Sequence, residues 1–159
     1  MTSRRPDTQP TLDVEFTRFF EHEYPVQKRR AAMLIGDVAA AEDIVHDAFV
    51  AVWSRWERLD SPGPYLSRCV LNGCRDLATR RSCRRSRLPT LSVQTEQAAP
   101  VEILTDVLSR LPFPQRCALV LRYYGGLSTD EIADVMDCPP GSVGPWIERA
   151  KARLRKELT

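Results

Sequence analysis

Leu127–Leu158 reads LSTDEIADVMDCPPGSVGPWIERAKARLRKEL. Ser128 and Glu131 have the S-x-x-E spacing of a capping box, which opens a short helix. Asp137 to Gly141 makes a tight turn, and Asp137 tolerates the left-handed backbone such a turn needs. Ser142 is placed to cap a last basic helix of about sixteen residues, roughly 24 Å long. Short helix, turn and long basic helix are the layout of a helix-turn-helix, whose second helix lies in the DNA major groove. Within it Val143, Ile147, Ala150 and Leu154 recur at i, i+4, i+7 and i+11 and form an inward stripe. Gly144, Trp146, Arg149, Arg153 and Lys156 are left to face outwards. Arg149 and Arg153, one turn apart, can reach bases or phosphates from one face.

The charge distribution points the same way. The 159 residues carry a net charge of only +2, so the total says little. Residues 12–60 hold ten acids against six bases, whereas residues 61–90 hold seven arginines and one acid, Asp76. Residues 91–147 are acidic again, and the last twelve carry five bases against two acids. Two basic patches on a near-neutral chain suggest two phosphate-contacting surfaces. No apolar run reaches the roughly 20 residues of a membrane helix, and MTSRRPDTQPT has no signal-peptide core. A cytoplasmic protein without direct membrane insertion is expected. Five cysteines without a C-x-x-C pair argue against a disulfide scaffold and against a zinc knuckle, so no metal and no cofactor are expected.

Upstream, helical periodicity dominates. Residues 13–34 place Val14, Phe16, Phe19, Phe20, Tyr24 and Leu34 on one face, with Pro25 as a break or kink. Ala39–Leu59 clusters Ile44, Val45, Ala48, Phe49, Val52, Trp53 and Trp56 on one side. Ser61-Pro62-Gly63-Pro64 reads as a turn. Tyr65–Arg81 is a third helix, apolar at Leu66, Cys69, Val70 and Leu77. Residues 82–100 lose periodicity. Their last thirteen, from Leu88 to Pro100, span at most about 43 Å, enough to set two domains apart along a duplex. Val101–Leu111 and Gln115–Tyr124 are further helices, with Pro114 suited to a first helical position and Gly125-Gly126 to a C-cap.

The second half resembles region four of the small extracytoplasmic-function (ECF) sigma factors. The resemblance rests on Leu111-Pro112, Gln115-Arg116, Leu119–Tyr123, Gly126-Leu127-Ser128, Glu131-Ile132-Ala133, Gly141-Ser142-Val143 and Arg149–Leu154. Gly36-Asp37 followed by Ala41–Phe49 is similar to the region-two helix that docks on RNA polymerase. Pro64-Tyr65-Leu66, Asn72, Asp76 and the arginines after it are similar to the segment that melts and reads the minus-ten element. The resemblance implies an all-α fold of two small helical domains, a region-two bundle and a region-four helix-turn-helix, joined by a flexible linker. The expected boundaries are a disordered lead at 1–11, region two at 12–85, a linker at 86–100 and region four at 101–159. The implied function is to direct RNA polymerase core to specific promoters, with promoter DNA and core as partners and no small-molecule substrate.

The implied sites follow residue by residue. Core polymerase would meet Glu42, Asp43, Asp47, Phe49 and Trp53, an apolar ridge flanked by charges that set register. Minus-ten DNA would meet Tyr65, Arg68, Asn72, Arg75, Asp76, Arg80, Arg81 and Arg84. Holding an unstacked strand calls for arginines on the backbone, an amide for a base edge and an aromatic wall. Minus-thirty-five DNA would meet Arg122, Ser128, Thr129, Ser142, Gly144, Trp146, Arg149 and Arg153.

One stretch departs from the family. Where its recognition helices usually continue with Lys-Ser-Arg, this chain has Gly144-Pro145-Trp146. With Ser142 as N-cap, Pro145 would be the third helical residue, where its missing N–H had no partner anyway. Trp146 offers an apolar face and one indole N–H, which suits thymine methyls more than guanine. An altered upstream preference is expected. Neither the acidic N-terminal inhibitory segment of larger sigma factors nor a C-terminal extension is apparent, so regulation is expected from an anti-sigma protein. A stand-alone LuxR-like helix-turn-helix regulator is the alternative, disfavoured by the acidic helix and arginine-rich middle. A thiol hydrolase lacks any nucleophile elbow or acid–base pair, so no catalytic residues are expected.

Overall fold

Helix follows helix through every described part of the chain. The computed structural model describes residues 9–85 and 100–158, with side chains for 12–83 and 104–158. The elements are α1 (Gln9–Ile35), α2 (Val38–Ser54), a 3-10 turn (Trp56–Arg58), α3 (Pro62–Arg85), α4 (Pro100–Ser109), α5 (Phe113–Tyr123), α6 (Thr129–Met136) and α7 (Pro140–Leu158). No strand occurs among the described residues. Most of the expected linker, residues 86–99, and the first eight residues of the expected lead lie outside the description. Gln9, Pro10 and Thr11, expected in that lead, belong to α1 instead.

Pro25, Pro62 and Pro64 were expected to interrupt or flank helices, and the structure places each inside one, while Pro145, expected as a third helical residue, lies deeper in its helix. Pro25 lies within the unbroken α1. Its ring removes a bond to the Glu21 carbonyl, but Glu21 and Pro25 are both exposed, so water replaces the lost donor. Pro62 and Pro64 are not a turn. They form the first turn of α3, where N–H groups have no helical partner and a fixed φ is favourable. Pro145 is the sixth residue of α7, because that helix opens at Pro140 rather than at Ser142.

Three helices of the first half pack around Val45, Ala48, Phe49 and Val52 of α2, Leu66, Val70, Leu71 and Cys74 of α3, and Ala31 and Leu34 of α1. A ring cluster closes its far end. Phe16 meets Trp53 at 4.8 Å and Trp56 at 5.2 Å between centroids, and Phe20 meets Phe49 at 4.7 Å. Such edge-on and tilted pairs favour the ring quadrupole beyond simple area burial. The second half packs α5, α6 and α7 around Cys117, Leu121, Ile132, Val143 and Ala150. The expected inward stripe of α7 is found there, with Val143, Ile147 and Ala150 buried and Leu154 partly so.

The two halves also pack on each other: α1 meets α4 and α5, and α3 meets α6. Their buried residues form one continuous core. The Arg116 guanidinium of α5 donates to the Leu34 carbonyl at the end of α1. The same group donates to Leu108 O at 2.9 Å, Leu111 O at 2.9 Å and Ser109 O at 3.2 Å, around the end of α4. From α3, Arg81 donates to Ile35 O and to Asp37 Oδ2, each at 2.9 Å. The carbonyls at the end of α1 thus receive an arginine from each half.

Asp37 is the N-cap of α2 and accepts from Ala40 N at 3.1 Å. That backbone bond, helped by the Arg81 guanidinium, holds its carboxyl below the usual range against the opposing effect of burial. A depressed carboxylate contributes stability above its unfolded pKa, and the contribution is lost as pH falls through its folded value. Asp37→Ala should therefore cost about 1 kcal/mol near neutrality in urea unfolding. The deficit should shrink as pH falls below the ordinary aspartate range, and a deficit constant down to low pH would show that the cap is not the cause.

Candidate nucleic-acid interface

The helix-turn-helix is built by local bonds that its residue types dictate. Ser128 Oγ accepts from Glu131 N at 3.2 Å, and Ser128 N donates to Glu131 Oε1 at 3.3 Å. Both halves of the expected capping box are present. Asp137 ends α6 at φ 52°, ψ 56°, the left-handed conformation expected of it. Cys138 N then donates to Ala133 O at 3.0 Å, which turns the chain towards α7.

Ser142 does not cap α7. It sits in the first turn, where its own N–H donates to Pro139 O at 3.0 Å. Pro140 takes the first helical position, for which its fixed φ is already suited. Pro145 therefore deprives the Gly141 carbonyl of its helical donor. Gly141 is exposed with open space around it, so that carbonyl is solvated and α7 runs on to Leu158. Its 19 residues extend about 28 Å.

On the outer face of α7, Gly144, Arg149 and Arg153 are exposed. A Cβ on Gly144 would meet nothing within 4 Å, so this position leaves room for a groove wall to approach. Trp146, expected to face outwards, is half-buried and packs against the core. Only part of its ring remains for a ligand. Arg122 donates to Thr129 Oγ1, so two partly exposed residues expected on DNA also tie α5 to the start of α6.

The first half brings its expected residues into three settings. Asp43 and Asp47 are exposed on α2, while Glu42 pairs with Lys28 Nζ at 2.7 Å. That bond lowers the Glu42 pKa and raises that of Lys28. Trp53 is 46% exposed beside the exposed Val50, whereas Phe49 is buried at 3% and offers no surface to a partner. Asp43 and Asp47 line a groove of about 540 Å³ between α2 and α3, together with Asp76, Arg80 and Gly73. Residues assigned from the sequence to two different ligands thus share one depression. Gly73 lets α3 approach α2 at its floor, since a Cβ there would come within 2.7 Å of Ile44 Cγ2.

Along α3 the arginines divide. Arg80 and Asn72 are exposed. Tyr65 is partly buried under the Arg55 guanidinium, 5.7 Å from its ring centre, and burial pushes its hydroxyl pKa up. Arg81 is spent on the α1–α2 junction. Arg68 donates to Asp134 O at 3.3 Å and lies 3.4 Å from Asp134 Oδ1. Arg75 donates to Met136 O at 3.2 Å. Arg84 belongs to the last turn of α3, and its side chain lies outside the described residues.

Two residues without local sequence signals matter here. Arg30 is buried at 6%, donates to Ser67 Oγ at 3.1 Å, and has its pKa lowered by burial. Arg116 fixes the ends of α1 and α4. Neither role is visible in spacing, because the Ser67 hydroxyl that meets Arg30 and the Leu34 carbonyl that meets Arg116 lie far away in the chain. Among the described residues no group of acids, histidines and cysteines could hold a metal ion, and no helix is long and apolar enough to cross a membrane. Cys74 and Cys117 are fully buried, and burial pushes Cys74 up to about 12 and Cys117 higher still. Such thiols are poor nucleophiles. A thiol reagent at mildly alkaline pH should modify exposed Cys83 in the folded chain and reach Cys74 and Cys117 only on unfolding. Rapid native labelling of the last two would contradict their burial.

Comparison with known proteins places this geometry. Residues 19–84 match the family Sigma-70 region 2, and residues 102–154 match the family Sigma-70, region 4. RNA polymerase sigma-E factor of Streptomyces avermitilis is 31% identical over 153 residues, covering 91% of this chain and 86% of the relative. The fold is similar to that of the sigma factor RpoE solved with the anti-sigma factor NepR from Bartonella quintana, with a TM-score of 0.76 at 20% identity over 91% of this chain and 96% of that one. It is also similar to CnrH solved with the cytosolic domain of CnrY, with a TM-score of 0.69 at 25% identity over 90% and 86% of the two chains. The chain belongs to the ECF sigma factors of the sigma-70 family. Members of that family are not enzymes, and a LuxR-like regulator is not favoured.

Proposed function

We propose that this chain recruits RNA polymerase core through α2, holds the melted minus-ten strand on α3 and the groove beside it, and reads the upstream element with α7. The observation that carries this reading is the pair Arg149 and Arg153, exposed one turn apart on a capped helix-turn-helix, on the same chain as an acid-edged α2 and an arginine-rich α3. In the docking surface, Asp43, Asp47 and Trp53 are the contacts, with Val50 beside them; Phe49 supports it from the core. Arg80, Asn72, Asp76 and Tyr65 serve the strand. Region two, beginning with α1, and region four, beginning with α4, are the working units. The protein works in the cytoplasm, without catalysing a reaction itself. The NepR and CnrY complexes support an anti-sigma protein as its regulator.

Run-off transcription with core polymerase on genomic fragments tests the reading. Defined transcripts should appear only when this chain is added, and core with the chain giving no new start sites would overturn it. Arg149→Ala should weaken promoter binding and reduce the slope of log affinity against log salt by about 1. An unchanged slope would remove Arg149 from the phosphate contacts. Gly144 and the exposed part of Trp146 set upstream preference. Trp146→Arg should change the ranking of promoters, and an unchanged ranking would assign Trp146 to the core alone.

A further inference from the structure

We propose that this chain binds a diphosphate, free or at the end of a nucleotide, in a cavity at the junction of its two halves. The inference does not depend on how α2, α3 and α7 meet polymerase or DNA. The cavity has a volume of about 250 Å³ and lies where the ends of α1 and α4 meet α3 and the start of α5. α3 lends it Ala78, Arg81 and Ser82, and α5 lends it Phe113 and Arg116. Among the described residues, both ionisable groups of the lining are arginines, one from each half. The volume is just under the about 300 Å³ at which sites for drug-sized molecules begin, so it suits a small anion or the phosphate end of a larger molecule.

Both guanidinium groups are fixed by contacts that do not cancel their charge. Arg81 donates to Ile35 O and Asp37 Oδ2, each at 2.9 Å, which uses two of the five donors a guanidinium carries. Asp37 offsets part of the Arg81 charge from outside the lining. Arg116 donates to the Leu34, Leu108, Ser109 and Leu111 carbonyls, which satisfy donors without bringing a negative charge. Its guanidinium also lies 5.7 Å from the centre of the Phe113 ring, which steadies its plane. Ile35, Ala78 and Phe113 make the remaining wall apolar, so the two positive charges are less screened here than on an open face. Ser109 spends its hydroxyl proton on Asp106 O at 2.6 Å, which leaves Ser82 as the lining hydroxyl that can donate to a ligand. Arginine pairs with phosphate through parallel N–H groups, and two arginines from separate halves suit two linked phosphoryl groups. Such a ligand binds the folded junction and not the unfolded chain, so it stabilises the fold by mass action.

The test is titration of the full chain with sodium pyrophosphate in magnesium-free buffer. Calorimetry should show saturable binding, and the melting temperature should rise with pyrophosphate as mass action requires. Sulfate at matched ionic strength controls for screening and for exclusion from the surface, and should raise it far less. Ser82→Asp puts a carboxylate into the lining at an exposed position of α3. Thr79→Asp makes the same charge change at an exposed position of the same helix outside the lining. Pyrophosphate should bind Ser82→Asp at least about ten-fold more weakly than Thr79→Asp, because the new charge opposes the ligand at close range. Adenosine diphosphate separates the two sources. Binding it as tightly as pyrophosphate, with the same loss in Ser82→Asp, assigns a nucleotide, and binding of pyrophosphate alone assigns the free anion. Nitrogen-15 NMR of the wild type needs no variant to fold. Pyrophosphate should shift the guanidinium signals of Arg81 and Arg116 and leave those of exposed Arg149 and Arg153 in place. No saturable binding, an equal response to sulfate, equal affinity of the two variants, or shifts confined to Arg149 and Arg153 would each overturn the site.

Discussion

Guanidinium groups seated on the carbonyls at helix ends are the interaction on which the arrangement of this sigma factor depends. The last carbonyls of a helix have no helical donor and carry the negative end of its dipole. Arginine meets that need better than lysine, because its planar fork can serve several acceptors at once. Arg116 does so for α1 and α4 together, and Arg81 adds a second donor at the end of α1. Arg68 and Arg75 do the same for α6. Removing Arg116 would strand partly buried carbonyls from two helices at the point where the halves meet, a larger penalty than the bond itself is worth.

This use of arginine links the fold to its function. The residue type that serves a helix end also serves a phosphate, and α3 carries arginines seated on helix ends beside an exposed one proposed for the strand. Arg81 is committed to the fold by the Asp37 pair and the Ile35 carbonyl. Arg80 faces solvent, and Arg68 and Arg75 stand between the two roles. The groove beside them brings Asp43, Asp47 and Asp76 together with Arg80, so the surfaces proposed for polymerase docking and strand holding adjoin rather than occupying opposite faces.

Much of the helix-turn-helix was legible in the sequence because its determinants are local. The Ser128–Glu131 box, the left-handed Asp137 and the α7 stripe each depend on residues within a few positions of one another, and all three are present. The prolines misled because the rule against them concerns a lost hydrogen bond, and whether water replaces that bond is set by exposure. Pro25 and Pro145 deny donors to carbonyls that face solvent, and Pro62 stands where no donor was needed. Ser142 lost its expected cap because two consecutive prolines before it started the helix earlier. Phe49 and Trp146 lie more deeply than amphipathic spacing suggested, since a wide apolar face does not say which of its edges a neighbour covers. The arginine partners were hidden altogether. A guanidinium gives no sign in sequence of which distant carbonyl it will find.

The most direct measurement is nitrogen-15 NMR of the arginine side chains in the full-length free protein. Arg116, Arg81, Arg75 and Arg68 should give resolved guanidinium signals with slowed rotation about the Cζ–Nη bonds and slowed exchange with water, while exposed Arg149 and Arg153 average freely. The signals of Arg68 and Arg75 should shift on titration with single-stranded DNA while those of Arg116 and Arg81 stay in place. Freely rotating, rapidly exchanging guanidinium groups at Arg116 and Arg81 would contradict the account, because the helix ends would then be held by something else.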